Sequence, residues 1–283
     1  MRVLFIGGTG NISAACSRLA LSRGIELYVL NRGNRDLGEY GMADSESIVC
    51  NINEEKAAAE ALSEYEFDAV VNYIAFTPAD IERDVRLFRG KTRQYIFISS
   101  ASVYQKPLVH PVVTESTPLR NPYWEYSRKK IAAEKRLNRA YREEGFPGLV
   151  VRPSLTYDTV IPLAIGSWND YTMIERMRAG RPVVVQGDGT SLWTITHSED
   201  FAKGLVPLLG NAEAVGHSFH ITSDELLTWD QIWQYTAAAA GCEANIVHVA
   251  SDFIAGLDPF QRGNLLGDKA ISAIFDNSKI KRF

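Results

Sequence analysis

The segment YWEYSRKKIAAEK, residues 123–135, sets Tyr126 four residues ahead of Lys130. On a helix that spacing puts the phenol and the ammonium on one face, and a cation close to a phenol favours its ionised form. A free tyrosine titrates near ~10, so acting at neutral pH requires a lowering of about three units, roughly 4 kcal/mol of differential stabilisation. Lys130 together with a second positive charge close by would supply it. Such a pair exchanges a proton with a hydroxyl or carbonyl oxygen.

A second stretch, FIGGTGNIS at residues 5–13, follows an apolar run that begins almost at the N-terminus. Gly7, Gly8 and Gly10 lie between a strand pattern and a helix pattern. There, missing Cβ atoms let the backbone approach a pyrophosphate, and the helix N-terminus offers unpaired N–H donors. A dinucleotide fits that place, with Thr9, Asn11 and Ile12 as further contacts; the alternative is a tight turn without a ligand. The third fingerprint position, usually Gly or Ala, is Ser13. At the end of the second run, VLNRGNR, an acidic residue would hold both ribose hydroxyls, but the chain has Asn31 and Arg32, with Arg35 three residues on. A neutral amide and guanidinium groups suit a 2′-phosphate. NADP(H) is therefore favoured over NAD(H), which stays open, as does a solvated Arg32. Asn51 and Ile52 behind the third run, and Asn72 and Tyr73 in the fourth, complete the expected cofactor set.

The elements that would position these groups alternate. Short apolar runs at Val3–Ile6, Glu26–Leu30, Ile48–Cys50, Ala69–Ile74, Tyr95–Ser99 and Leu149–Arg152 are separated by helical patterns. This is the rhythm of βαβ units with a parallel sheet covered on both faces. Ile12, Cys16 and Leu19 recur at helical spacing, and Gly24 marks a stop. After Pro153 the rhythm breaks down: residues 154–194 hold one helical segment near Met173–Met177, then one more strand-like run follows at Ser218–Thr222. The tail from Trp229 reads as mixed α/β. These features predict a Rossmann-type doubly wound α/β domain over residues 1–153 plus about 195–222, and a smaller α/β substrate-binding region from 154–194 and 223–283.

The chain has 283 residues, 46% of them hydrophobic, and a formal charge of −4, with its arginines scattered, so no footprint for a nucleic-acid backbone is expected. Cys16, Cys50 and Cys242 form no CxxC, which suggests neither a zinc site nor a disulfide framework. No signal segment or membrane-spanning run is apparent, and a cytoplasmic location is the expectation. His217 and His220 form an HxxH on a strand-like run, where spacing three points them to opposite faces, so no metal site is assigned. The alanines 237–240 read as a packed helix.

Taken together, GGTGNIS, SSASVY and YSRKK resemble the extended short-chain dehydrogenase/reductases, specifically the NAD-dependent epimerase/dehydratase family. VVRPS and GDGTSLWTITHSEDFA, with His197 and Asp200, extend the resemblance over most of the chain. It implies that Ser100 hydrogen-bonds the substrate oxygen, Tyr126 is the acid/base, and Lys130 holds the nicotinamide ribose. It also implies a homodimer, and a further helix beyond Lys279–Phe283, making truncation an expectation.

Departures narrow the reading. Dehydratases of the group carry an Asp-Glu pair after the residue equivalent to Ser100, where this chain has Ala101 and Ser102, so dehydration is not expected. UDP-sugar epimerases place an Asn after the sixth strand and an Arg before the late His; here those positions are Leu155 and Trp193. Trp193 is accordingly placed toward the substrate, and Trp193 and Trp124 are each read as either a pocket wall or ordinary packing. The expected function is hydride transfer at a secondary alcohol or carbonyl of a small, carbohydrate-like molecule. Alternatives are a nucleotide-sugar 4-epimerase, a cofactor sensor, and an RNA-associated relative like the plastid stem-loop-binding group, whose loop and late motif are similar.

Overall fold

The computed structural model describes residues 1–283. Its centre is a seven-stranded sheet built from β1 (Arg2–Ile6), β2 (Glu26–Asn31), β3 (Glu46–Val49), β4 (Ala69–Asn72), β5 (Tyr95–Ile98), β7 (Gly148–Pro153) and β12 (Ser218–Ile221), with β6 (Val112–Val113) lying outside it. The order β12-β7-β5-β4-β1-β2-β3 is parallel throughout. This is the Rossmann-type arrangement, and its chain reversal between β1 and β4 opens a crevice at the strands' carboxyl ends.

The period of two explains why the runs are apolar without alternation. On β1, Val3 and Phe5 enter one buried cluster, with Cys16, Phe201 and Phe219. Leu4 and Ile6 enter the opposite one, with Ile81, Phe88 and Leu137. Helix α1 (Ser13–Ser22) and, later in the chain, α6 (Ser198–Leu205) cover the first face. Helices α2 (Glu55–Ala61), α3 (Pro78–Phe88) and α4 (Glu125–Glu144) cover the second. Helix α3 starts where its sequence dictates: Thr77 and Asp80 form a reciprocal capping box, with Pro78 at the first helical position.

A third cluster lies beyond the sheet. It draws on Ala101, Tyr104 and Val113 and on the segments after Pro153, and it is dominated by Trp193, Trp229 and Trp233. Here the sequence rhythm was hard to read, because the strands are two to four residues long. They are β8 (Leu155–Tyr157), β9 (Val183–Gln186), β10 (Leu192–Trp193), β11 (Ile195–His197), β13 (Leu227–Thr228), β14 (Ile246–Val249) and β15 (Ile274–Phe275). They pair across long sequence intervals, β9 with β14 and β6 with β15. Helices α5 (Thr172–Arg178), α7 (Trp229–Ala239), α8 (Ser251–Leu257) and α9 (Pro259–Asn264) complete this region, and a π-turn follows at Leu265–Lys269. No helix is long and apolar enough to cross a membrane.

Candidate active site

At the crevice, the loop after β1 is shaped by two glycines for different reasons. Gly7 has φ +87°, a left-handed conformation that favours glycine. Gly8 faces the protein instead: a Cβ there would lie 2.9 Å from Val29 Cγ1 and 3.3 Å from Ser17 Oγ. Gly8 thus serves the packing of α1 on the sheet. Ser13 replaces the usual small residue with a brace: its buried hydroxyl accepts the Gly10 N–H at 2.8 Å and donates to the Gly7 carbonyl at 2.7 Å. The loop is fixed and α1 begins beside it, aiming its N-terminal donors at the crevice.

Two adjoining hollows follow. One, of about 480 Å³, is lined by Gly7, Gly10, Asn11, Ile12, Tyr73, Ser100, Tyr126 and Lys130. The other runs over the ends of β2 and β3 and is lined by Thr9, Asn31, Arg32, Arg35, Asn51 and Ile52. Two buried amide atoms beside them lack partners, Asn11 Oδ1 and Asn31 Nδ2. A glycine cradle, a helix N-terminus and unsatisfied polar atoms together fit a dinucleotide. Arg35 donates to the Thr9 carbonyl at 2.5 Å. Arg32 is exposed. Asn72 does not line either hollow, and its expected contact is corrected: the amide is fully buried, donates to Asp84 Oδ2 at 2.6 Å, and accepts the Ile74 N–H at 2.8 Å. It fixes the turn after β4 that presents Ile74 and Phe76 to the crevice.

The proton-handling residues converge on the first hollow. Tyr126 stands in the first turn of α4 and Lys130 one turn on, with its ammonium 5.9 Å from the Tyr126 ring centroid. Lys130 donates to the carbonyls of Ala75 (2.7 Å) and Ile98 (2.8 Å) and is 1% exposed. Burial lowers its pKa to about 7, against the opposing pull of Glu134 and Asp80. The Tyr126 phenol is pushed up to about 12, by burial first and by the Asp268 charge, while the nearby Ser100 hydroxyl pulls it down. Without a cofactor the pair therefore does not yield the phenolate that its spacing suggested; Tyr126 holds its proton at neutral pH. Ser100 caps a short turn after β5, and its hydroxyl meets Ser102 Oγ at 2.9 Å, to which Ser127 of α4 donates at 2.7 Å. Ser102 thus links Ser100 to α4.

Trp193 is corrected. It is 1% exposed, stacked on Trp229 at 5.8 Å, and absent from the cavity walls. Leu155 does line the cavity. His220 uses both ring nitrogens structurally, on the Tyr104 hydroxyl and the Asp276 carbonyl. The far wall is made by residues absent from the expected site set, Trp168, Phe260, Asn264, Asp268 and Lys269, together with Trp124, which had stood between pocket and packing. These come from separate segments with no motif spacing, and only the fold assembles them.

A model of the NAD dependent epimerase/dehydratase family matches residues 3–222. The 2′-dehydrokanamycin reductase of Streptomyces kanamyceticus is 26% identical over 259 residues, which cover 90% of this chain and 71% of the relative. The chloroplast stem-loop binding protein of 41 kDa b of Arabidopsis thaliana is 25% identical over 259 residues, 87% of this chain and 65% of that protein. Among solved structures, the UDP-glucose 4-epimerase of Thermus thermophilus in complex with NAD superposes with a TM-score of 0.77 at 19% identity, over 100% of this chain and 92% of its own. At that identity the likeness shows the fold.

Proposed function

The chain belongs to the NAD-dependent epimerase/dehydratase family, and from that premise we propose that it is an NADP(H)-preferring oxidoreductase that reduces the carbonyl, or oxidises the secondary alcohol, of a small carbohydrate-like substrate. The carrying observation is the meeting of Ser100, Tyr126 and Lys130 on one cavity wall that continues into the glycine cradle. A bound nicotinamide supplies or takes the hydride. Tyr126, protonated at neutral pH because burial raises its pKa to about 12, donates its proton to the nascent alkoxide in the reductive direction. Ser100 donates a hydrogen bond to the same oxygen and orients it. When protonated, Lys130 spends two N–H groups on backbone carbonyls, which aims the ammonium and leaves its third N–H for a ribose hydroxyl. With Ala101 and Ser102 in place of an acid pair, no residue there serves to eliminate water.

The preference for NADP(H) rests on Asn31, which has an unpartnered amide nitrogen, and on Arg32 and Arg35 at the groove. Nucleotide-sugar epimerisation is the second reading. The argument against it from Trp193 lapses, since that ring is buried elsewhere, but Leu155 still offers nothing to a diphosphate. A small-molecule substrate rather than a nucleic acid, and a homodimer, belong to the same proposal. Tyr126→Phe tests it: turnover should fall more than tenfold, about 1.4 kcal/mol or more of barrier, while calorimetric affinity for NADPH stays within about twofold. Turnover above a tenth of wild type would mean another proton carrier.

A further inference from the structure

We propose that the substrate carries one anionic group, a carboxylate on a sugar-sized hydroxy or keto compound, which pairs with Lys269 on the Trp124 side of the cavity. The proposal deepens the function argued above and rests on it for the reacting carbonyl.

Three ionic side chains are buried together there: Lys106 and Lys269, each 2% exposed, and Asp268, 8% exposed. Asp268 is the sole carboxylate between two ammonium groups, with Lys106 Nζ 3.8 Å from Oδ1 and Lys269 Nζ 3.4 Å from Oδ2. Neither lysine has another charged partner within an ion-pair distance. Lys106 lies behind the wall, its ammonium 5.8 Å from the buried Trp193 ring, whereas Asp268, Lys269 and Asn264 face the cavity. The shortest hydrogen bond of Lys269 goes to a neutral acceptor, Asn264 Oδ1, at 2.7 Å. The rings of Trp124 and Trp168 flank its ammonium at 5.6 and 5.5 Å. They ease the charge without neutralising it. Burial lowers the pKa of both lysines, as expected for cations in excess of their counter-ion.

One positive charge is therefore left over at a dry wall, and a buried charge is costly unless paired. A monoanionic ligand balances it. A ligand ammonium adds to the surplus, and a diphosphate brings more negative charge than one lysine offsets. The Trp124 ring lies against both Lys269 and Tyr126, at 5.1 Å between ring centroids in the latter case. A ligand touching both has its anionic group several bonds from the reacting carbon, as in a six-carbon sugar acid. Asp268 and Asn264, which line the same cavity, can accept hydrogen bonds from the ligand's hydroxyls.

Calorimetry on the full chain with NADP⁺ present, using D-glucuronate, D-glucose, D-glucosamine and UDP-glucose as probes, tests this. Glucuronate should bind at least tenfold more tightly than glucose, with glucosamine and UDP-glucose weaker than glucuronate. Lys269→Gln should erase that advantage and Lys269→Arg should keep most of it. Should Lys269→Gln fail to fold, Asp268→Asn replaces it: removing the shared carboxylate should widen the glucuronate preference. Equal binding of glucose, tightest binding of glucosamine or UDP-glucose, no glucuronate binding at millimolar concentration, a preference that survives Lys269→Gln, or one that Asp268→Asn leaves unwidened, each overturns the proposal. Because the ranking is read by binding alone, an intact ranking without hydride transfer would refute the function and leave the anionic site standing.

Discussion

Single residues carry the chemistry, and Lys130 shows most directly how burial sets it. Its pKa falls to about 7 from an ordinary 10.5 because burial removes it from water, a loss that two backbone carbonyls and the rings of Phe76 and Phe97 offset only in part. Between those values the unfolded chain binds a proton that the folded chain does not, so this residue's contribution to stability is lowest below about pH 7 and rises toward pH 10. Denaturant unfolding of the cofactor-free protein at pH 7 and pH 9 should show that rise shrink by more than about 1 kcal/mol in Lys130→Met, since one unit is worth about 1.4 kcal/mol. An identical pH dependence in both proteins would place the ammonium in water. Arg32 offers a second test: NADPH should bind more tightly than NADH by at least ~1 kcal/mol, the low end for a charge-assisted contact, and Arg32→Ala should remove most of that difference in a calorimetric comparison. Tyr126, Lys130 and the glycine loop were legible because each sits within one local motif. Trp193 misled because a motif position says nothing about which way a side chain turns, and the pull of Trp229 and the apolar cluster decided it.

At the level of elements, the unit from β1 to α1 was read correctly in kind, yet its glycines divide their labour in a way only packing reveals. A Cβ at Gly8 would meet Val29 Cγ1 at 2.9 Å, so Gly8→Ala should destabilise the protein by about 1–3 kcal/mol through overpacking between helix and sheet. Thermal unfolding measures it, and an unchanged midpoint would show that Val29 yields freely. Ser13→Ala should cost about 1–2 kcal/mol, because the Gly10 N–H and Gly7 carbonyl lose a buried partner. The strands of the large sheet were legible to within two residues because all but the edge strand β3 have both faces largely buried, leaving mostly apolar runs. The short strands β8 to β11 and β13 to β15 were not, since they take their partners from distant segments and two to four residues carry too little pattern.

Across the whole molecule, the sheet and the later region are joined through a buried polar network. Arg152 on β7 donates to Glu134 of α4 at 2.6 Å and 3.0 Å, Ser99 donates to the same carboxylate at 2.5 Å, and Tyr104, His220 and the Asp276 carbonyl continue the chain of contacts. Arg152→Met strands the Glu134 carboxylate and should destabilise by about 3–5 kcal/mol, a loss visible in denaturant midpoints. The cavity's far wall, with Asp268 and Lys269, belongs to this level as well: no local pattern announces it, and it exists only because α9 and the π-turn fold back over Trp124. The central claim is that the wall formed by Ser100, Tyr126 and Lys130 performs hydride transfer to a carbonyl. Its most direct measurement supplies NADPH deuterated at the transferable position, with a panel of keto sugars and keto sugar acids, and follows the label into product by mass spectrometry. One deuterium should appear at the former carbonyl carbon with the wild-type protein, and less than a tenth of that amount with Tyr126→Phe. Undiminished labelling in the variant, or no labelling of any carbonyl compound by a protein that binds the cofactor, would contradict it.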